Sequence, residues 1–139
     1  MTTSNVDLVR SICSAWERAD FGSAEWAHPD IEYVIADGPS PGRWKGLTGM
    51  TEAARDALNA WESYSVEANE WHALDAERVL VSFNRRGRGK TSGLDLGHMR
   101  SKGANLFHVR DGKVTRLVFY WDRERALADL GLAPEGDAP

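Results

Sequence analysis

The sequence predicts one α+β domain: a cone-shaped, curved mixed or antiparallel sheet wrapped around N-terminal helices and enclosing one pocket. Three observations predict it. Apolar residues recur at helical spacing through the first part of the chain, as in Val6, Val9, Ile12, Cys13 and Trp16. After Trp61 the period changes to two, as in Tyr64, Val66 and Ala68 and again in Val79, Val81 and Phe83. Asp111-Gly112 then joins two long alternating runs, the strongest hairpin signal in the sequence. Helices first and a meander of strands afterwards place the helices on one side of the sheet.

A first helix is expected over residues 4–19, with Ser4 and Asp7 forming a variant of the capping box. Asp20-Phe21-Gly22 ends it, and Ser23 caps a short second helix that stops near His28-Pro29. Strand one covers residues 31–36, with Ile31, Tyr33 and Ile35 on one side, and residues 37–42 form a loop. A third helix over 48–61 buries Met50, Ala54, Ala57, Leu58 and Trp61. Strand four occupies 94–110, strand five 113–122, and a short helix 123–130 stops at Gly131. The domain spans 1–133, and 134–139 is expected to be a frayed tail.

The bulk properties narrow the function. The chain has 139 residues, 42% hydrophobic and 27% charged, enough for one core and an ordinary surface. Its formal net charge of −4 argues against nucleic acid, which needs a basic face. No apolar run has membrane-spanning length, and the N-terminus shows no signal core, so a cytoplasmic location and no membrane partner are expected. Cys13 lies on the apolar stripe of the first helix and reads as a small buried hydrophobe. No histidine or cysteine pair has metal-ligand spacing, so no metal and no cofactor are expected.

A two-residue turn at Asp111-Gly112 pairs Arg110 with Lys113. An unbroken ladder from there puts Asn105, Phe107, Val109, Val114, Val118, Tyr120 and Asp122 on one face. Leu106, His108, Leu117, Phe119 and Trp121 fall on the other. The first face suits a ligand cavity, apolar with a few polar groups. The second is a large apolar patch, so a homodimer through the outer sheet face is expected. Trp16, Tyr33, Trp44 and Phe107 are expected to line the cavity, with plain core packing as the alternative. Asn105 and Tyr120 would orient a ligand carbonyl or hydroxyl. Arg85-Arg86-Gly87-Arg88-Gly89-Lys90-Thr91 reads as a solvated hairpin tip, since a phosphate loop needs a glycine where Asn84 stands. His98 and Arg100 reach the pocket only if a bulge precedes them.

The chain resembles the SnoaL-like branch of the nuclear transport factor two-like superfamily, which also holds ketosteroid isomerases, polyketide cyclases and a limonene epoxide hydrolase. The resemblance runs over residues 6–130. It is carried by Ala15-Trp16-Glu17-Arg18-Ala19-Asp20-Phe21, His28-Pro29-Asp30-Ile31-Glu32, Gly46-Leu47-Thr48-Gly49, Arg110-Asp111-Gly112-Lys113-Val114 and Tyr120-Trp121-Asp122-Arg123. It implies two candidate catalytic carboxylates. Asp37 is placed like the proton-shuttling base of the isomerases, and the alternative is a turn residue bonding nearby backbone. Ile12 and Gly103-Ala104-Asn105 stand where those enzymes carry oxyanion donors, so steroid isomerisation is not expected. Asp122 is placed like the base of the cyclases, which close a ring by an aldol step, and the alternative is a cap on the last helix. His108 has the spacing of a supporting histidine, and Asn105, Tyr120 and Asp122 partly echo the hydrolase cluster. The implied protein binds a small, apolar, oxygen-bearing molecule. Either it is a cofactor-free proton-transfer enzyme, or it is a non-catalytic binding or dimerisation module.

Overall fold

The computed structural model describes residues 5–18, 20, 25–37, 41–59, 61–89 and 98–131, with the side chains of 57–59, 61–64, 87–89 and 98–101 outside the description. The elements run α1 (Asn5–Glu17), β1 (Ala27–Ile35), β2 (Gly42–Lys45), α2 (Gly46–Asn59), β3 (Trp61–Ala73), β4 (Arg78–Gly89), β5 (His98–Arg110), β6 (Lys113–Tyr120) and α3 (Arg123–Asp129). They form a single six-stranded sheet in the order β2-β1-β6-β5-β4-β3. β1 and β6 are parallel, and every other pair is antiparallel. The fold is therefore the expected α+β class with a curved mixed sheet.

The main core lies between the sheet's concave face and the first two helices. Val9, Ile12 and Cys13 of α1 and Met50 and Ala53 of α2 pack on Ile31, Tyr33 and Ile35 of β1. Val79, Val81 and Phe83 of β4, Phe107 and Val109 of β5, and Val114 and Leu117 of β6 complete it. Cys13 is the buried hydrophobe the helical spacing indicated. Burial pushes its thiol up to about 12, far from a nucleophile's range. Among the described residues no helix is long and apolar enough to cross a membrane.

Several local expectations are corrected. Where the short second helix was to end, Ala27 already begins β1 and runs through His28 and Pro29; Ser23 itself lies outside the described residues. β2 begins at Gly42, the end of the expected loop, and runs on through residues to which no element was assigned, with Tyr33 pairing with Trp44. The third helix is shifted: α2 starts at Gly46, and Trp61 belongs to β3. Residues 94–97 and the tail expected at 134–139 lie outside the described residues.

The largest correction is one residue in the last hairpin. Asp111 and Gly112 adopt φ 53° and φ 75°, the left-handed pair that a two-residue turn requires. Arg110 pairs with Lys113 and Val109 with Val114, as expected. The next pair, however, is His108 with Arg116, so Thr115 is an extra residue on β6. Its hydroxyl donates to the His108 carbonyl at 3.3 Å, which supports the bulge. Beyond it every β6 side chain changes face. Leu117, Phe119 and Trp121 point into the concave side, and Val118 and Tyr120 point outward. The outer face is then Val34, Leu80, Ala104, Leu106, Val118 and Tyr120, packed against Ala126 and Leu127 of α3. Of the four apolar residues expected to form an exposed outer patch, only Leu106 lies on that side, and it is buried.

Candidate functional site

The polar centre of the concave face is Arg85. It continues the alternation of Val79, Val81 and Phe83 along β4, so its side chain enters the interior instead of the solvent. It is 1% exposed, which makes it a buried cation and corrects the reading of 85–91 as a wholly solvated tip. Its Nη1 donates to the Tyr120 carbonyl at 2.9 Å, and its Nη2 donates to Asn105 Oδ1 at 2.7 Å. The guanidinium carbon sits 4.0 Å from the centre of the Phe119 ring, 5.4 Å from Phe83 and 5.8 Å from Trp121. These are the distances of a cation held over aromatic faces.

Gly103 makes the space. A Cβ at this position would stand 1.5 Å from Arg85 Nη1 and 2.7 Å from the Tyr120 carbonyl oxygen. The guanidinium therefore lies flat against bare β5 backbone, where no other residue type leaves room. Asn105 follows two residues later on the same face, 2% exposed, opposite Val81 and Phe119.

The expected lining residues fall into two groups. Trp16 packs 5.8 Å from Phe107, 6.1 Å from Phe83 and edge-on to Trp26 at 6.0 Å. Tyr33 stacks obliquely with Trp44 at 5.9 Å, at the β1–β2 end of the sheet. Phe107 and Asn105 remain on the concave face. Tyr120 does not: the bulge places it outside, beneath α3, where burial first and the Asp129 carboxylate next disfavour its ionisation.

Asp37 and Asp122 both serve the backbone. Asp37 accepts the Trp121 N–H at 2.7 Å through one oxygen and the Asp122 N–H at 3.1 Å through the other, tying the end of β1 to the end of β6. Asp122 is exposed, has extended φ and ψ, and accepts the Glu124 N–H at 3.0 Å as N-cap of α3. Replacing Asp37 by alanine frees two amides that a charged acceptor holds, and is expected to cost about 2 kcal/mol. Replacing Asp122 by alanine is expected to cost about 1 kcal/mol, the usual loss of a cap. Urea titrations of the two variants check both values and their order.

The histidines lie elsewhere. His108 pairs with Arg116 on the outer face, half-buried; burial, and then Arg116 and Arg78, lower its pKa. His28 accepts the Asp30 N–H at 2.9 Å, and the exposed His72 meets Glu70 at 2.9 Å. The side chains of His98 and Arg100 lie outside the description. Among the described residues no three His, Cys, Asp or Glu side chains gather as metal ligands.

Sequence reasoning missed Arg85, Phe119 and Trp121. The signal for Arg85 was present, since period two carried two residues past Phe83 reaches it. The signal for the other two was hidden by the bulge.

The fold and this interior together define a small α+β domain whose curved mixed sheet holds a buried polar pair under its helices. The SnoaL-like domain model matches residues 9–117, and the chain belongs to that family. No curated protein matches it. Among solved structures, TerC co-crystallized with polyporic acid is 22% identical, with a TM-score of 0.71, over 92% of this chain and 98% of that one. An NTF2-like protein of unknown function from Burkholderia pseudomallei K96243 is 18% identical, with a TM-score of 0.74, over 91% and 97%. A protein from Jannaschia sp. CCS1 that carries the name of a SnoaL-like polyketide cyclase is 13% identical, with a TM-score of 0.70, over 96% and 99%. At these identities the likeness is one of fold.

Proposed function

We propose that the chain is a SnoaL-like pocket protein whose concave interior takes a small apolar molecule bearing an oxygen. The observation that carries this reading is the Arg85–Asn105 pair, both under 3% exposed, set among Phe83, Phe119 and Trp121. A few fixed polar groups inside an aromatic shell orient a ligand, whereas a core built for stability alone rarely retains a cation. The neighbours named as polyketide cyclases, and TerC with its polyporic acid, support an oxygen-bearing ligand.

Binding is favoured over proton transfer by the placement of the two aspartates. Asp37 gives both oxygens to backbone amides, and Asp122 caps an exposed helix end. A general base must reach the proton that it removes, and both carboxylates are engaged by backbone amides at the ends of β1 and β6. Calorimetric titration with 2-acetylnaphthalene, a flat neutral ketone, tests the reading. One saturable site per chain is expected, weakened severalfold in Asn105→Leu. No heat of binding at probe saturation would contradict it.

A further inference from the structure

Basic residues recur at every second position on two paired strands. β4 carries Arg86 and Arg88, and β5 carries His98, Arg100 and Lys102. The register sets Arg86 opposite Arg100, Arg88 opposite His98, and Asn84 opposite Lys102, with no shift along the ladder. Alternation puts all five basic positions on one face of the sheet. It is the outer face, because Arg85, the residue before Arg86, is buried on the concave side. On β3 the same three rows continue as Ser65, Ser63 and Glu67. Glu67 is the single acid among these nine positions. Ser65, Glu67, Arg86 and Lys102 are exposed, and α3 packs farther back, over Leu80, Ala104 and Leu106.

We propose that this basic arm docks the protein on an anionic bilayer surface. Residues of like charge in opposite register cost a sheet stability, and Arg86 with Arg100 is such a pair. The chain keeps it although its net charge is −4, and a negatively charged partner offsets the cost. The composition of the face selects among such partners. None of the nine positions is apolar, so the face lacks the apolar centre of a protein–protein interface. None is Phe, Tyr or Trp, so it lacks the platform on which a single nucleic-acid strand stacks. A second copy laid on the same rows would bring cation against cation. An anionic lipid surface asks only for clustered positive charge, and a cluster like that of Arg86, Arg88, Arg100 and Lys102 is what it attracts. The contact is peripheral and needs no spanning helix. It rests on charge and register, apart from the pocket reading. The two meet in one respect: a small apolar molecule collects in a bilayer, where a docked pocket protein can take it up.

The test is sedimentation of the full chain with vesicles, at low and high salt and with no pocket ligand added. Vesicles of phosphatidylcholine mixed with phosphatidylglycerol are expected to carry wild type down, and vesicles of phosphatidylcholine alone are not. Raising the salt is expected to release the protein, since exposed charges are screened. Arg86→Ser and Lys102→Ser are each expected to lower partitioning roughly fivefold, and the double variant roughly 25-fold. Arg55→Ser, at an exposed position of α2, makes the same change in net charge as either single variant and is expected to bind like wild type. Equal binding to neutral vesicles, binding indifferent to salt, or binding retained in the double variant would overturn the docking. So would an equal loss in Arg55→Ser, or a wild type that ignores anionic vesicles at low salt and binds a single-stranded oligonucleotide instead. Calorimetry of the double variant with 2-acetylnaphthalene reads the pocket separately, and ketone binding is expected to equal that of wild type.

Discussion

Gly103→Ala is expected to unfold the protein at markedly lower denaturant, with a loss of about 3–5 kcal/mol, the range for breaking a buried charge network. The added methyl would fall 1.5 Å from Arg85 Nη1, so the guanidinium must leave. Leaving breaks its bonds to the Tyr120 carbonyl and to Asn105 Oδ1 and strands a charge among Phe83, Phe119 and Trp121. Nor can the backbone yield cheaply, because the same methyl meets the Tyr120 carbonyl at 2.7 Å. An alanine on an ordinary strand would instead stabilise slightly, by giving up glycine's freedom in the unfolded chain. The sign of the change therefore decides the matter. A double-mutant cycle sharpens it: in an Arg85→Met background the alanine should cost clearly less, because part of the clash is gone. Urea titrations of the four proteins give the coupling.

Phe107→Ala is expected to cost about 3–5 kcal/mol, the range for truncating a fully buried aromatic residue. Phe107 is 0% exposed, in the middle of β5, and supports Trp16 from 5.8 Å. Truncation leaves a ring-sized void beneath α1, beside the Trp16, Trp26 and Phe83 cluster. Phe107→Leu refills most of that volume and should lose much less. Alongside the melting shift, the near-ultraviolet circular dichroism of the tryptophans should weaken in the alanine variant and survive in the leucine one. Equal losses in the two would mean that Phe107 stands at the edge of the core.

The fold was legible because it rests on periodicity. The apolar stripe of α1, the change to period two after Trp61 and the Asp111-Gly112 turn each follow from local chemistry, and each stands in the structure. The site was only half legible. Asn105 and Phe107 were placed on the concave face because β5 keeps its alternation from Arg110 back through Gly103. Tyr120, Phe119 and Trp121 were exchanged between faces because a bulge at Thr115 leaves no mark in composition or pattern. It satisfies its backbone through a threonine hydroxyl, which is ordinary in any strand. Arg85 went unread for a different reason. A basic run usually belongs to solvent, and that expectation outweighed a register which placed the arginine under the helices. The two aspartates show that a sequence position can suit two roles. Their positions fit a base and equally a clamp or cap, and the clamp and the cap are the contacts that the folded chain shows.

The most direct measurement is the side-chain amide pair of Asn105 in a proton–nitrogen correlation spectrum, recorded with and without 2-acetylnaphthalene. The two protons should resolve at unusual shifts in the free protein, as expected for an amide bound to a guanidinium, and should move together on titration while the exposed Asn69 amide stays in place. An Asn105 pair that stays put while the ketone binds elsewhere would contradict the account.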